Sequence, residues 1–180
     1  AVNPTGTSSK ATGDSGLIQM DISLTIDGHF NLTWEKWIHV VAMAERLGFK
    51  SLFRSDHYFY DVPGHSLDAF LTFAVGARET RRIRLGPLVT PVTFRRPVDV
   101  GRMAAQLDVL SEGRFVLGLG AGWYEKEHRA YGLKFPNSDE RFDRLEDAIQ
   151  LMRALWGPGP TTYLGRYHSV TDVDCLPKPL

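Results

Sequence analysis

No disulfide can form within this chain, because Cys175 is its sole cysteine. A chain without bridges suits a reducing compartment, so a cytoplasmic location is expected. Long apolar runs are also missing. None approaches the roughly 20 residues that a bilayer crossing needs, and no membrane partner is expected. Neither sign of charge dominates: 21 Lys plus Arg stand against 21 Asp plus Glu. That balance argues against a surface that tracks nucleic-acid phosphates. The histidines show no H-x-x-x-H or comparable ligand spacing, so no metal site is expected. No G-x-x-x-x-G-K-[ST] string occurs, which removes a phosphate loop of the Walker type.

What is present is an ordinary globular composition, 43% hydrophobic over 180 residues, enough for one sizeable core. Residues 1–19, rich in Ser, Thr and Gly, read as a disordered leader or cloning remnant, with Met20 a candidate natural start. The "GDSGL" inside them resembles a serine-protease nucleophile motif but sits in low-complexity sequence. From residue 20 to 180 the chain reads as one domain.

Within it, short apolar runs alternate with helical periods. "MDISLTI" predicts a strand with Ile22, Leu24 and Ile26 on one face. Thr33 is placed to cap a helix that ends at Leu47, with Gly48 closing it. "KSLFRS" predicts a second strand and residues 67–80 a second helix. The arginines of "RETRRIR" then read as a solvated cluster beside that helix end. "IRLGPLV" predicts a third strand, Pro97 starts a third helix through Leu110, and "RFVLGLG" predicts a fourth strand. Ser138 can cap a long helix that Gly157 ends, and "TTYLGRYHSV" reads as a hairpin turning at Gly165. Four strand-helix units in succession predict a parallel α/β sheet with helices outside. An open doubly wound sheet and part of a (β/α)8 barrel both satisfy the pattern. A whole barrel takes about 250 residues, so a barrel here would be represented by its first four units.

The stretch "RFVLGLGAGWYEKEH" places glycine at 118, 120 and 122 before a charged, helical segment. It is not the dinucleotide fingerprint G-x-G-x-x-G, which requires glycine where Trp123 stands. Barrel chemistry gathers at the C-terminal ends of strands. Those ends carry "FRSDHYFY", "GPLVTPVTFRRP" and the glycine stretch.

Together with "NLTWEKW", "AERLGF" and "ERFDRLEDAIQLMRALW", these segments resemble the luciferase-like monooxygenase family from about Met20 to Leu180. The resemblance implies an α/β fold of the (β/α)8 TIM-barrel type, of which this chain supplies roughly half. It implies coenzyme F420, a deazaflavin, with FMN as the alternative, bound at the C-terminal mouth. It places Gly118, Gly120 and Gly122 beside the coenzyme's tricyclic ring, where a side chain would collide. It also implies a non-proline cis peptide near Leu88 and Val89; an ordinary trans strand end before Pro91 is the competing reading.

The residues expected at the coenzyme are Asp56, Leu88, Val89, Thr90, Gly120, Ala121, Gly122 and Trp123. His57 of "SDH" is expected to serve as hydrogen-bond donor or acid-base group, since imidazole titrates in the useful range. A purely structural histidine is the plainer alternative. Adjacent strand residues face opposite sides, so one of Asp56 and His57 faces the mouth while the other braces the loop. Trp123 occupies the position where sugar-oxidising relatives carry a carboxylate, which disfavours a sugar-phosphate substrate. Arg95 and Arg96 either reach an anionic coenzyme tail or brace their loop.

The expected activity is hydride transfer between the coenzyme and a small organic substrate, with a homo-oligomer or a complementary C-terminal half as partner. The competing function is a non-catalytic binding or assembly module that retains the motifs as packing residues.

Overall fold

The computed structural model describes residues 20–61 and 64–180. The expected leader, with its "GDSGL", lies outside the described residues.

The element order is β1 (Ser23–Ile26), α1 (Trp34–Leu47), β2 (Ser51–Arg54), α2 (Ala69–Glu79), β3 (Arg84–Pro87), β4 (Thr90–Pro91), α3 (Pro97–Leu110), β5 (Leu119–Gly120), α4 (Glu125–Ala130), α5 (Ser138–Trp156), β6 (Thr161–Leu164) and β7 (Ser169–Val173). Strands β1, β2 and β3 form a parallel sheet in that order, β4 pairs with β5 in parallel, and β6 with β7 is an antiparallel hairpin. The parallel strands with their intervening helices form a partial barrel, open on both sides.

Local chemistry accounts for the helix ends. The Thr33 hydroxyl accepts from the Lys36 amide at 3.3 Å to start α1, and Gly48 ends it at φ +78°, a left-handed conformation that glycine adopts without steric cost. Asp68 caps α2. At α5 the cap is Asn137, which accepts from the Glu140 amide at 2.9 Å, and not the expected Ser138, which is the first helical residue. Both types cap well, so the sequence pattern leaves the position uncertain by one residue.

The register aligns Leu24, Leu52 and Leu85 across the sheet. Leu52 and Leu85 are buried among Trp37 and Val41 of α1, Phe70 and Phe73 of α2, Val100 and Leu107 of α3, and Met152 of α5. The core therefore lies between the strands and the surrounding helices. Burial of each large apolar side chain there is worth about 1.5–3 kcal/mol. Trp37 is wholly buried, and its indole N–H donates to the Thr72 carbonyl at 2.7 Å. The hairpin packs separately on α5 through Tyr163, Val170 and Val173, around Leu151, Leu155 and the buried Cys175.

The third and fourth strands depart from the expected continuous runs. The peptide between Leu88 and Val89 is cis, and it divides the third strand into β3 and β4. The fourth strand is regular only at Leu119–Gly120, with a further parallel bridge between Phe115 and Leu85. The two strands nonetheless stay bonded: the Thr90 amide donates to the Gly118 carbonyl and the Val92 amide to the Gly120 carbonyl, each at 2.9 Å.

Their closeness explains the glycine repeat. A β-carbon at Gly118 would overlap the Pro87 carbonyl oxygen, and one at Gly120 would overlap the Val89 side chain. Gly122 adopts φ +83°. The chain's own third strand is thus sufficient to require glycine at 118 and 120, and backbone conformation favours it at 122.

Candidate coenzyme site

The ends of the first four parallel strands surround a cavity of about 620 Å3. Side chains alternate along the extension of β2, so Ser55 and His57 face inward while Arg54 and Asp56 face away. His57, Leu88, Val89, Gly120, Ala121, Gly122 and Trp123, all expected at the site, line the cavity together. The Gly120–Gly122 backbone and the Leu88–Val89 segment lie side by side in that lining, with the Val89 side chain against Gly120. Phe30, Tyr60, Trp123 and Phe142 add aromatic walls, Asp27 adds a carboxylate, and among the described residues no Lys or Arg belongs to the lining.

Asp56 and Thr90, also expected at the coenzyme, do not line the cavity. Asp56 is buried, with the Thr90 hydroxyl donating to its Oδ2 at 2.5 Å and Arg95 Nη1 at 2.6 Å. Arg95 Nη2 also donates to Asp68, the cap of α2, at 2.8 Å. This network ties the end of β2 to β4 and α2, so it braces the cavity wall from behind. Of the two roles open to Arg95 and Arg96, bracing is the one supported: Arg96 pairs with Asp99 at 2.8 Å.

His57 is held by a residue that sequence reasoning missed. Its Nδ1 lies 2.7 Å from Oε1 of Glu127 on α4, and the other oxygen of that carboxylate accepts from the Tyr58 amide at 3.0 Å. Glu127 is wholly buried, as is its neighbour His128. His128 Nδ1 lies 2.8 Å from the Tyr124 carbonyl, which can only accept, so Nε2 takes the Thr93 hydroxyl hydrogen at 2.7 Å. Two adjacent buried side chains therefore pin α4 to the second and third strand ends. In sequence Glu127 is one acid in a charged run, and nothing local marks it.

His29 is the second missed group. It is buried at the end of β1, with Nδ1 3.3 Å from the Ser55 hydroxyl and its ring edge-on to His57 at 5.1 Å. Burial, and next the neighbouring His57, hold its pKa below the ordinary 6.5. Neutral imidazole is thus its resting form, suited to hydrogen bonding inside the cavity. The end of β1 carries a functional type of residue there, but a lone histidine has no spacing signal.

A family model described as luciferase-like monooxygenase matches residues 15–180. The chain belongs to that family. It is 39% identical over 142 residues to an F420-dependent glucose-6-phosphate dehydrogenase of Microbacterium testaceum, covering 76% of this chain and 41% of the relative. It is 36% identical over 145 residues to an F420-dependent hydroxymycolic acid dehydrogenase of Mycobacterium tuberculosis, covering 76% of this chain and 40% of that one. The fold matches an F420-dependent secondary alcohol dehydrogenase solved with an F420-acetone adduct, with a TM-score of 0.79 and 24% identity over 89% of this chain and 50% of that chain. The chain thus spans about two fifths of the length of the curated relatives it matches.

Proposed function

We propose that this chain forms the coenzyme-facing half of an F420-dependent oxidoreductase that moves hydride between the deazaflavin and a small neutral organic substrate. The observation that carries the reading is the convergence of His57, the Leu88–Val89 turn and the Gly120–Trp123 backbone on one cavity. The relatives named above supply the coenzyme class.

The residues present fit a flat aromatic group. The cavity is open, walled by the Gly120–Gly122 backbone with Leu88 and Val89 on one side and by aromatic rings on another. Asp27, His29, Ser55 and His57 are its polar groups, and the mostly apolar lining suits a flat ring system. When bound, the deazaflavin supplies a carbon that accepts or returns hydride. Leu88, Val89 and the Gly120–Gly122 backbone would support that ring, and Trp123 with Tyr60 and Phe30 would exclude water above it. His57 would take the proton from a substrate hydroxyl as hydride leaves, or return it in the reverse direction. Among the described residues the lining has no Lys or Arg to pair with a phosphoryl group, which favours a neutral alcohol or carbonyl over a sugar phosphate.

The edges of β1 and β5 have no strand partner among the described residues. A complementary C-terminal half, or a second copy of this chain, would cover them. Separate titrations of the purified chain with F420 and with FMN, followed by absorbance and fluorescence, test the proposal. Saturable binding of F420 in preference to FMN is expected. Preference for FMN would move the reading to flavin chemistry, and failure to bind either in any oligomeric state would favour the non-catalytic module.

A further inference from the structure

We infer that Glu127 is a positioning residue that holds His57 in the Nδ1-protonated tautomer and so presents the lone pair of Nε2 to the cavity. An ionised carboxylate can only accept hydrogen bonds. With Oε1 of Glu127 at 2.7 Å from His57 Nδ1, that nitrogen carries the hydrogen. Nε2 is left without a protein partner among the described residues, on a side chain that lines the cavity. The opposite tautomer would set the Nδ1 lone pair against the carboxylate and place a hydrogen where the proposed reaction needs a base.

A second contact makes the arrangement specific. The Tyr58 amide, next along the backbone from His57, donates to Oε2 at 3.0 Å. A backbone N–H is always a donor, so the atom facing it must be an acceptor. In a Glu127→Gln variant, therefore, the single amide oxygen faces Tyr58, and the NH2 group turns to His57 Nδ1. That nitrogen can then only accept, and the hydrogen moves to Nε2. The reverse orientation would set the amide NH2 against the Tyr58 N–H, two donors face to face with no water to separate them, since Glu127 is wholly buried. A nearly isosteric change thus inverts the tautomer while every hydrogen bond is kept.

The consequence for catalysis rests on the acid-base role proposed for His57, but the tautomer itself is readable without coenzyme. The test is imidazole 15N spectroscopy of the chain labelled with 15N-histidine, at a pH of about 8, where imidazole is ordinarily neutral, with His57→Gln assigning the signals. The wild-type chain is expected to show His57 protonated at Nδ1, and Glu127→Gln to show it protonated at Nε2 with the backbone amide fingerprint preserved. His57 protonated at Nε2 in the wild type, or at Nδ1 in the variant, would overturn the inference. The wild-type spectrum decides even where the variant does not fold. In the coenzyme-loaded enzyme, kcat of Glu127→Gln should fall by about 10²-fold or more. An inverted tautomer with unaltered turnover would uphold the role of Glu127 and remove His57 from the proposed reaction. Lost turnover with the tautomer unchanged would overturn the role of Glu127 and leave the proposed function standing.

Discussion

Arg95 reaches back 39 residues to Asp56, its Nη1 lying 2.6 Å from the Asp56 Oδ2 behind the cavity wall. Both side chains are largely removed from water. Asp56 accepts in addition from Thr90, so the pair sets the position of β4 relative to β2. Replacing Asp56 with Ala leaves a buried guanidinium with Asp68 as its one remaining carboxylate partner among the described residues, which should destabilise the fold by about 3–5 kcal/mol. Adding Arg95→Met removes the stranded charge as well, so the double variant Asp56→Ala/Arg95→Met should cost less than Asp56→Ala alone. Urea denaturation of the two variants checks the order, and equal losses would mean that Arg95 is not the group left stranded.

The glycines of the fourth strand separate in the same kind of experiment. At Gly118 an added methyl meets backbone, the Pro87 carbonyl, which cannot turn aside; at Gly120 it meets the tip of the Val89 side chain, which can. Gly118→Ala should therefore lose about 1–3 kcal/mol or more of stability. Gly120→Ala should lose clearly less, but it pushes Val89 into the cavity and should weaken F420 binding. If the bare backbone served the ring alone, both variants would keep their stability and differ only in binding.

How much of this was legible in the sequence follows from how local each determinant is. Thr33 and Gly48 act on their own helix, so α1 is readable residue for residue. That one of Asp56 and His57 faces inward and the other outward is a property of any extended segment and was readable too, but Asp56 was still expected at the site. Glu127 was not, because its meaning comes from the imidazole 70 residues earlier and from the Tyr58 amide, which has no side-chain signature. The glycine repeat was recognised but its neighbours within the chain were not: periodicity reports that something comes close, and only the fold shows Pro87 and Val89 there. The arginines of "RETRRIR" are exposed, as read; what was not legible is that the backbone amides of Arg81 and Arg82 are fastened to Glu45 of α1, at 3.1 Å each.

That fastening predicts a pH dependence. Burial pushes the Glu45 carboxyl upward, but hydrogen bonds from the amides of Ile83, Arg81 and Arg82 outweigh it and hold its pKa below the ordinary 4.5. A pKa depressed in the folded state means that the unfolded chain takes up this proton first as pH falls. The stabilisation is therefore complete above the ordinary value and is lost as pH drops through the lower, folded one. Wild type should exceed Glu45→Gln in urea resistance at about pH 7, and the gap should narrow progressively below pH 4.5. Asp68 and Asp147 are also held low, but they titrate in both proteins and cancel in the difference. A gap that stays constant into strong acid would show that the amides are held by something other than the Glu45 charge.

Trp123 allows binding to be changed without touching the fold. It is 60% exposed at the cavity rim, with its ring edge-on to His57 at 5.7 Å and beside Tyr124 at 5.2 Å. An exposed side chain outside the core contributes little to stability, so Trp123→Ala should leave urea resistance within about 0.5 kcal/mol of wild type. Its face is nevertheless part of the apolar wall, and an aromatic contact there is worth about 0.5–1.5 kcal/mol beyond area burial. F420 or a neutral substrate should accordingly bind about tenfold more weakly to the Ala variant, while Trp123→Phe, which keeps a ring, should recover most of the loss. If Ala binds as tightly as Trp, the aromatic rim takes no part in recognition, and the preference for a neutral substrate would rest only on the missing Lys and Arg.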